Sequence, residues 1–161
     1  DGQVAAIRAA LDDAGFPDVA ILAYSAKYAS SLYGPFRDAV DVQIADGGDR
    51  KGYQQDHRNI GEAMREVGLD IDQGADIVMI KPALAYLDII TAVAARVDVP
   101  VAAYHVSGEY AMIHAAAERG WVDAGAVAVE HLTAIKRAGA TMILTYFTRW
   151  YAEQVAAGAI T

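Results

Sequence analysis

Four short apolar runs, each set off from the next by residues of helical period, constrain this chain more than any other feature. The runs are Val19–Tyr24, Ile77–Ile80, Val99–Tyr104 and Met142–Thr145. Continuous apolar strands of this length, with no polar alternation, suit strands buried on both faces, and a parallel connection between such strands requires a crossover that is usually a helix. The spacing predicts those helices near Val4–Ala14, Asn59–Gln73, Tyr86–Arg96, Glu109–Arg119, Asp123–Arg137 and Thr148–Ala157. Gly15, Gly74 and Gly139 each follow a helical stretch and precede a strand, where glycine takes the left-handed conformation that ends a helix. The chain therefore reads as one α/β unit with a parallel sheet, and no linker divides it.

At 161 residues and 55% hydrophobic content the chain can bury a real core. A net charge of −8 argues against nucleic acid as a partner, because phosphate contacts need a basic surface. No apolar stretch approaches the roughly 20 residues of a membrane span, and the first residues lack a signal-peptide pattern, so a cytoplasmic protein acting on small molecules is expected. Without cysteine, disulfides and thiolate metal sites are excluded within these residues. Opening at Asp1, already inside a helical pattern, the sequence is expected to be a piece of something longer.

Two lysines stand where apolar runs stop: Lys27 in Ala-Tyr-Ser-Ala-Lys-Tyr-Ala-Ser (23–30) and Lys81 in Ile-Val-Met-Ile-Lys-Pro-Ala-Leu (77–84). Desolvation and a second cation nearby both drive an ammonium toward the neutral amine, and a neutral amine attacks carbonyls. Polar residues recur after the other strands, with His105, Ser107 and Tyr146, and in a parallel β/α array those strand ends share the face that carries active sites. Ser107 also suits a helix cap, Tyr146 a core aromatic, and Arg37 and Arg50 either solvated charges or clamps for carboxylates. The long segment Ser30–Arg58 has no sustained period and carries Tyr33, Phe36, Arg37, Arg50 and Gln54, the composition of a functional loop. The four histidines are dispersed, which gives a histidine metal site little support.

Four stretches closely resemble the porphobilinogen synthase (δ-aminolevulinic acid dehydratase) family: Tyr-Ser-Ala-Lys-Tyr-Ala-Ser-Ser-Leu-Tyr-Gly-Pro-Phe-Arg-Asp-Ala (24–39), Gly-Asp-Arg-Lys-Gly-Tyr-Gln (48–54), Met-Ile-Lys-Pro-Ala-Leu-Ala-Tyr-Leu-Asp-Ile-Ile (79–90) and Val-Ser-Gly-Glu-Tyr-Ala-Met-Ile (106–113). Ala85 and His57 depart from the family pattern, each standing at a common proline position. The resemblance covers the C-terminal half only. It implies a single partial domain over residues 1–161, about four strands of a TIM (β/α)8 barrel, from an enzyme that condenses two 5-aminolevulinate molecules to porphobilinogen with loss of two waters.

By motif position, Lys81 matches the Schiff-base lysine for the propionyl-side substrate and Lys27 the lysine for the acetyl-side substrate. Arg37, Arg50 and Gln54 match ligands of the acetyl-side carboxylate region, Ser107 and Tyr146 ligands of the propionyl-side carboxylate, and Tyr33 and Phe36 the pocket lining. Glu66 falls where some members carry a carboxylate linked to an allosteric magnesium at a subunit contact, although an exposed helical glutamate reads the same way. The resemblance further implies a catalytic zinc or magnesium whose ligands belong to the other half, and a homo-oligomer, octamer or hexamer, at full length. Alternative readings are a class I aldolase-type Schiff-base lyase, which has no need of Lys27, and a non-catalytic half-barrel assembly module.

Overall fold

The computed structural model describes residues 2–41 and 50–160. It contains four parallel strands in the order β1-β2-β3-β4: β1 (Leu22–Lys27), β2 (Ile77–Lys81), β3 (Val101–His105) and β4 (Met142–Thr145). The helices are α1 (Gln3–Asp13), α2 (Gly34–Ala39), α3 (Ile60–Asp72), α4 (Leu87–Ala94), α5 (Ser107–Glu118), α6 (Ala124–Arg137) and α7 (Thr148–Ala156). No helix among the described residues is long and apolar enough to cross a membrane.

Local signals set the helix ends. Asn59 accepts the Glu62 N–H at 3.2 Å to start α3, and Asp123 accepts the Ala126 N–H at 2.7 Å to start α6. Gly74, at φ 97°, turns the chain out of α3 into β2. At Gly139 the requirement is double: φ is 116°, and a Cβ there would stand 2.6 Å from the Ala94 Cβ of α4.

One face of the sheet and the helices enclose the main core, in which Val78, Ile80, Val101 and Ala103 meet Val67 of α3, Ile90 and Val93 of α4 and Ile135 of α6. A second cluster joins Ile113, Ala128, Leu132 and Phe147 between α5, α6 and the start of α7. Side chains alternate across a strand, so Met79, Lys81, Ala102 and Tyr104 fall on the opposite, concave face. That face is the inside of the barrel segment.

The first strand lies three residues later than its apolar run suggests. Val19 is exposed, and the run's first residues lie outside the strand, held by Arg8, whose guanidinium donates to the carbonyls of Phe16 and Val19 at 3.0 and 2.8 Å. Pairing with β2 begins only at Leu22↔Ile77 and carries on through Ser25 and Lys27, polar residues that the run excluded. The Ser30–Arg58 segment also holds structure that periodicity missed, since its described part contains α2 and short 3-10 turns at Ser31–Tyr33 and Arg50–Gly52.

Candidate functional site

Lys27 and Lys81 are register partners at the carboxyl ends of the neighbouring strands β1 and β2. A one-residue irregularity produces that pairing: Ala23 faces Val78 and Ala26 faces Ile80, so β1 spends three steps where β2 spends two. Were the same residues paired regularly, with no irregularity to absorb the extra one, Ala26 would face Lys81, and the side chain of Lys27 would lie on the other face. Beyond β1, residues 54–55 extend the sheet by a parallel bridge between Tyr28 and Gln55, in which Gln55 donates to the Lys27 carbonyl at 3.0 Å and Ala29 to the Gln55 carbonyl at 2.9 Å. This bridge brings Arg50 back over the lysines.

Together these elements wall a cavity of about 50 Å³ lined by Lys27, Tyr33, Phe36, Arg37, Arg50, Lys81, Tyr104, Val106, Ser107 and Tyr146. Among the described residues the wall holds four cationic side chains and no acidic one, in a chain whose acids outnumber its bases 21 to 13. An enclosed cationic wall of this kind selects anions, and paired arginines match carboxylates in particular. A larger groove of about 670 Å³ runs between α6, β4 and α7 but contains neither lysine. It lies along the open side of the edge strand.

The lysines are electrostatically unlike surface lysines. Burial, then the charges of Lys27 and Arg50, bring Lys81 down to about 8, and burial with Arg50 and Arg37 lowers Lys27. Three aromatic rings surround the Lys81 Nζ, with centroids at 4.3 Å for Tyr104, 5.2 Å for Tyr24 and 5.5 Å for Tyr33. Ring faces favour the charged amine and so oppose part of that shift. The Tyr33 hydroxyl lies 2.9 Å from the Tyr28 carbonyl and 3.2 Å from that of Lys81, which ties the ends of both lysine-bearing strands to one turn.

Of the residues singled out in the sequence, the cavity gathers Lys27, Tyr33, Phe36, Arg37, Arg50, Lys81, Ser107 and Tyr146. Ser107 begins α5 instead of capping it, and its hydroxyl accepts the Phe36 N–H at 3.1 Å, docking α2 onto α5. Gln54 is buried behind the wall, where neither polar atom of its side chain has a hydrogen-bond partner among the described residues. Glu66 lies half-buried on α3, outside the cavity lining. His105 points toward the helices and meets His131 at 3.3 Å and Thr145 at 3.2 Å.

Two contributors escaped the sequence reading. Tyr104 stands nearest the Lys81 amine, and burial followed by a hydrogen bond donated to Tyr146 pushes its phenol up to about 12. Tyr24 shares the concave face and reaches both lysines. Their signal was position, one strand residue before the polar ends already noted. Among the described residues no group of three His, Cys, Asp or Glu could hold a metal.

A family model for delta-aminolevulinic acid dehydratase matches residues 1–154. The chain is 60% identical over 147 residues to the delta-aminolevulinic acid dehydratase of Mycobacterium tuberculosis, covering 91% of this chain and 44% of that protein. It is 58% identical over 156 residues to the Synechococcus elongatus enzyme of the same name, covering 94% and 48%. The crystal structure of the Toxoplasma gondii enzyme in complex with the reaction product porphobilinogen superposes with a TM-score of 0.93 at 46% identity, over all of this chain and 47% of that one. The chain thus spans about half the length of the relatives it matches, and the match falls on their C-terminal half.

Proposed function

Because the chain belongs to the delta-aminolevulinic acid dehydratase family, we propose that it supplies the two-lysine centre of a porphobilinogen synthase, which joins two 5-aminolevulinate molecules with loss of two waters. The observation that carries this reading is the register pairing of Lys27 and Lys81 beside Arg37 and Arg50, in a cavity whose described lining holds no carboxylate. A single-imine aldolase has no use for the second lysine.

In this reading each lysine, as the free amine, adds to a substrate ketone, and the carbinolamine loses water to give an iminium. Lys81 holds the propionyl-side substrate and Lys27 the acetyl-side one. Iminium formation makes the neighbouring carbon acidic and the imine carbon electrophilic, so the bonds between the two substrates form without a strong external base. Arg37 and Arg50 take the acetyl-side carboxylate through their guanidinium forks, with Gln54 behind them. Ser107 and Tyr146 take the propionyl-side carboxylate at the start of α5, where backbone N–H groups favour an anion. Tyr33 and Phe36 exclude water from the amines.

Borohydride trapping with 5-aminolevulinate, followed by peptide mass spectrometry, tests the proposal. It is run on the chain alone and on the chain joined to the N-terminal portion of the M. tuberculosis relative. An adduct on Lys81 in either form supports the centre, and an additional adduct on Lys27 supports the two-site reading. No adduct on either folded form overturns it.

A further inference from the structure

Glu109 is 1% exposed in the first turn of α5, and the proposed chemistry does not use it. Its Oε1 accepts the Leu84 N–H at 2.6 Å and its Oε2 the Val106 N–H at 2.5 Å, with the Ala83 N–H also directed at the carboxylate. Both oxygens act as acceptors, which is the pattern of an ionised carboxylate. One side chain therefore straddles two β/α turns. The first follows Lys81 at the end of β2, and the second delivers Ser107 from the end of β3.

The neighbouring residues extend the junction. Ser107 holds α2 through the Phe36 N–H, and Gly108 is seated so tightly that a Cβ would meet the Leu32 backbone, 2.7 Å from its Cα. The start of α5 is thus the common anchor of the walls around the cavity. Of these residues it is Glu109 whose side chain hydrogen-bonds to the turn that follows Lys81.

We propose that Glu109 is a positioning residue that sets the span between the Lys81 amine and the Ser107 hydroxyl, and so selects the distance between ketone and carboxylate in the substrate held there. This inference rests on the functional reading above. That reading places the ketone carbon of one substrate on Lys81 and its carboxylate on Ser107. Moving one turn against the other by a fraction of an ångström changes which chain length fits both ends.

The test compares borohydride trapping of levulinate, whose ketone and carboxylate have the spacing of 5-aminolevulinate, with 5-oxohexanoate, one carbon longer. Both are read at Lys81 by mass spectrometry, in the chain joined to the N-terminal portion described above. Glu109→Gln keeps the shape but turns an amide donor toward a backbone donor. The expected result is about tenfold slower Lys81 trapping of levulinate, with a levulinate to 5-oxohexanoate ratio reduced about fivefold and trapping of 5-aminolevulinate at Lys27 little changed.

Should Glu109→Gln fail to fold, Glu109→Asp retains the charge while its shorter stem cannot reach both turns, and the same fall in ratio is expected. An unchanged ratio in a folded variant, or equal losses at both lysines, overturns the role of Glu109 alone. Absence of any Lys81 adduct in the unsubstituted protein overturns the functional reading and this inference with it.

Discussion

A lysine with its ordinary pKa is about one part in a thousand free amine at pH 7.5, whereas at about 8 roughly a quarter is free. Trapping at Lys81 should therefore rise with pH to a midpoint near 8. Because the Lys27 charge helps to hold that midpoint down, Lys27→Met should move it upward and slow trapping at pH 7.5 severalfold. A midpoint near 10 in the unsubstituted protein would show that Lys81 is an ordinary lysine. His105, fully buried beside His131, is held down to about 4, chiefly by burial. The unfolded chain binds a proton near pH 6.5 that the folded chain refuses until about pH 4, so stability falls as pH drops through that window, by on the order of 3 kcal/mol at its foot. Urea midpoints measured between pH 7 and 4.5 should show this extra acid sensitivity, and His105→Gln should lose it. The lysines, arginines, Ser107 and Tyr146 were legible in the sequence because polar residues at strand ends are conspicuous. Tyr104 and Glu109 were not, since a tyrosine in a strand reads as core and a glutamate in a first turn reads as a helix-end acid. The partners that give them roles, Lys81 and Leu84, lie more than 20 residues away in other turns.

At the level of elements, the alternation of apolar runs and helical stretches specified the order and the parallel sheet, because each strand is short and its crossover helix is long enough to show a period. The limits of β1 were not legible. An apolar run marks where side chains are greasy, but the pairing with β2 decides where the strand lies, and its concave face admits Lys27. Nor was α2, which at six residues has too few turns to show a period and opens on Gly34-Pro35. The least legible feature carries the most function: the irregularity between Ala23 and Ala26, which absorbs one extra residue and so keeps Lys27 opposite Lys81. Deleting Ser25 should remove the irregularity and close the ladder with Ala26 still opposite Ile80 and Lys27 still opposite Lys81, since the deleted residue is the one the bulge absorbs. Peptide mass spectrometry after trapping should then find adducts at both lysines, with the pH midpoint of Lys81 unchanged. Loss of Lys27 modification in a folded deletion variant would show that the irregularity itself, and not the register it preserves, orients Lys27.

Taken whole, the molecule buries one face of its sheet and leaves much of the other open. Tyr24, Met142 and Tyr146 on the concave side are 47%, 36% and 47% exposed. The sheet begins at β1 and ends at β4, and no described residue pairs with the outer edge of β4. The groove of about 670 Å³ beside that edge, lined by Leu132, Ile143 and Tyr151 among others, adds apolar surface to an unpaired row of backbone donors and acceptors. Such an edge is a template for another strand, and a patch of this kind is rarely left bare in a stable monomer. Since the chain covers 44% to 48% of relatives that are 58% to 60% identical to it, the N-terminal portion of such a relative is the partner to test against that edge. Mixing the chain with that portion from M. tuberculosis should raise the melting temperature by several degrees, because a partner that binds only the folded form stabilises it by mass action. It should also suppress the binding of a hydrophobic dye, and it should speed trapping at Lys81 as the concave face is shielded from water. The chain alone should self-associate with increasing concentration in sedimentation runs, through the same edges. A chain that stays monomeric, binds no dye and gains nothing from the added portion would mean that its concave face is self-sufficient, with Lys81 already as desolvated as it becomes.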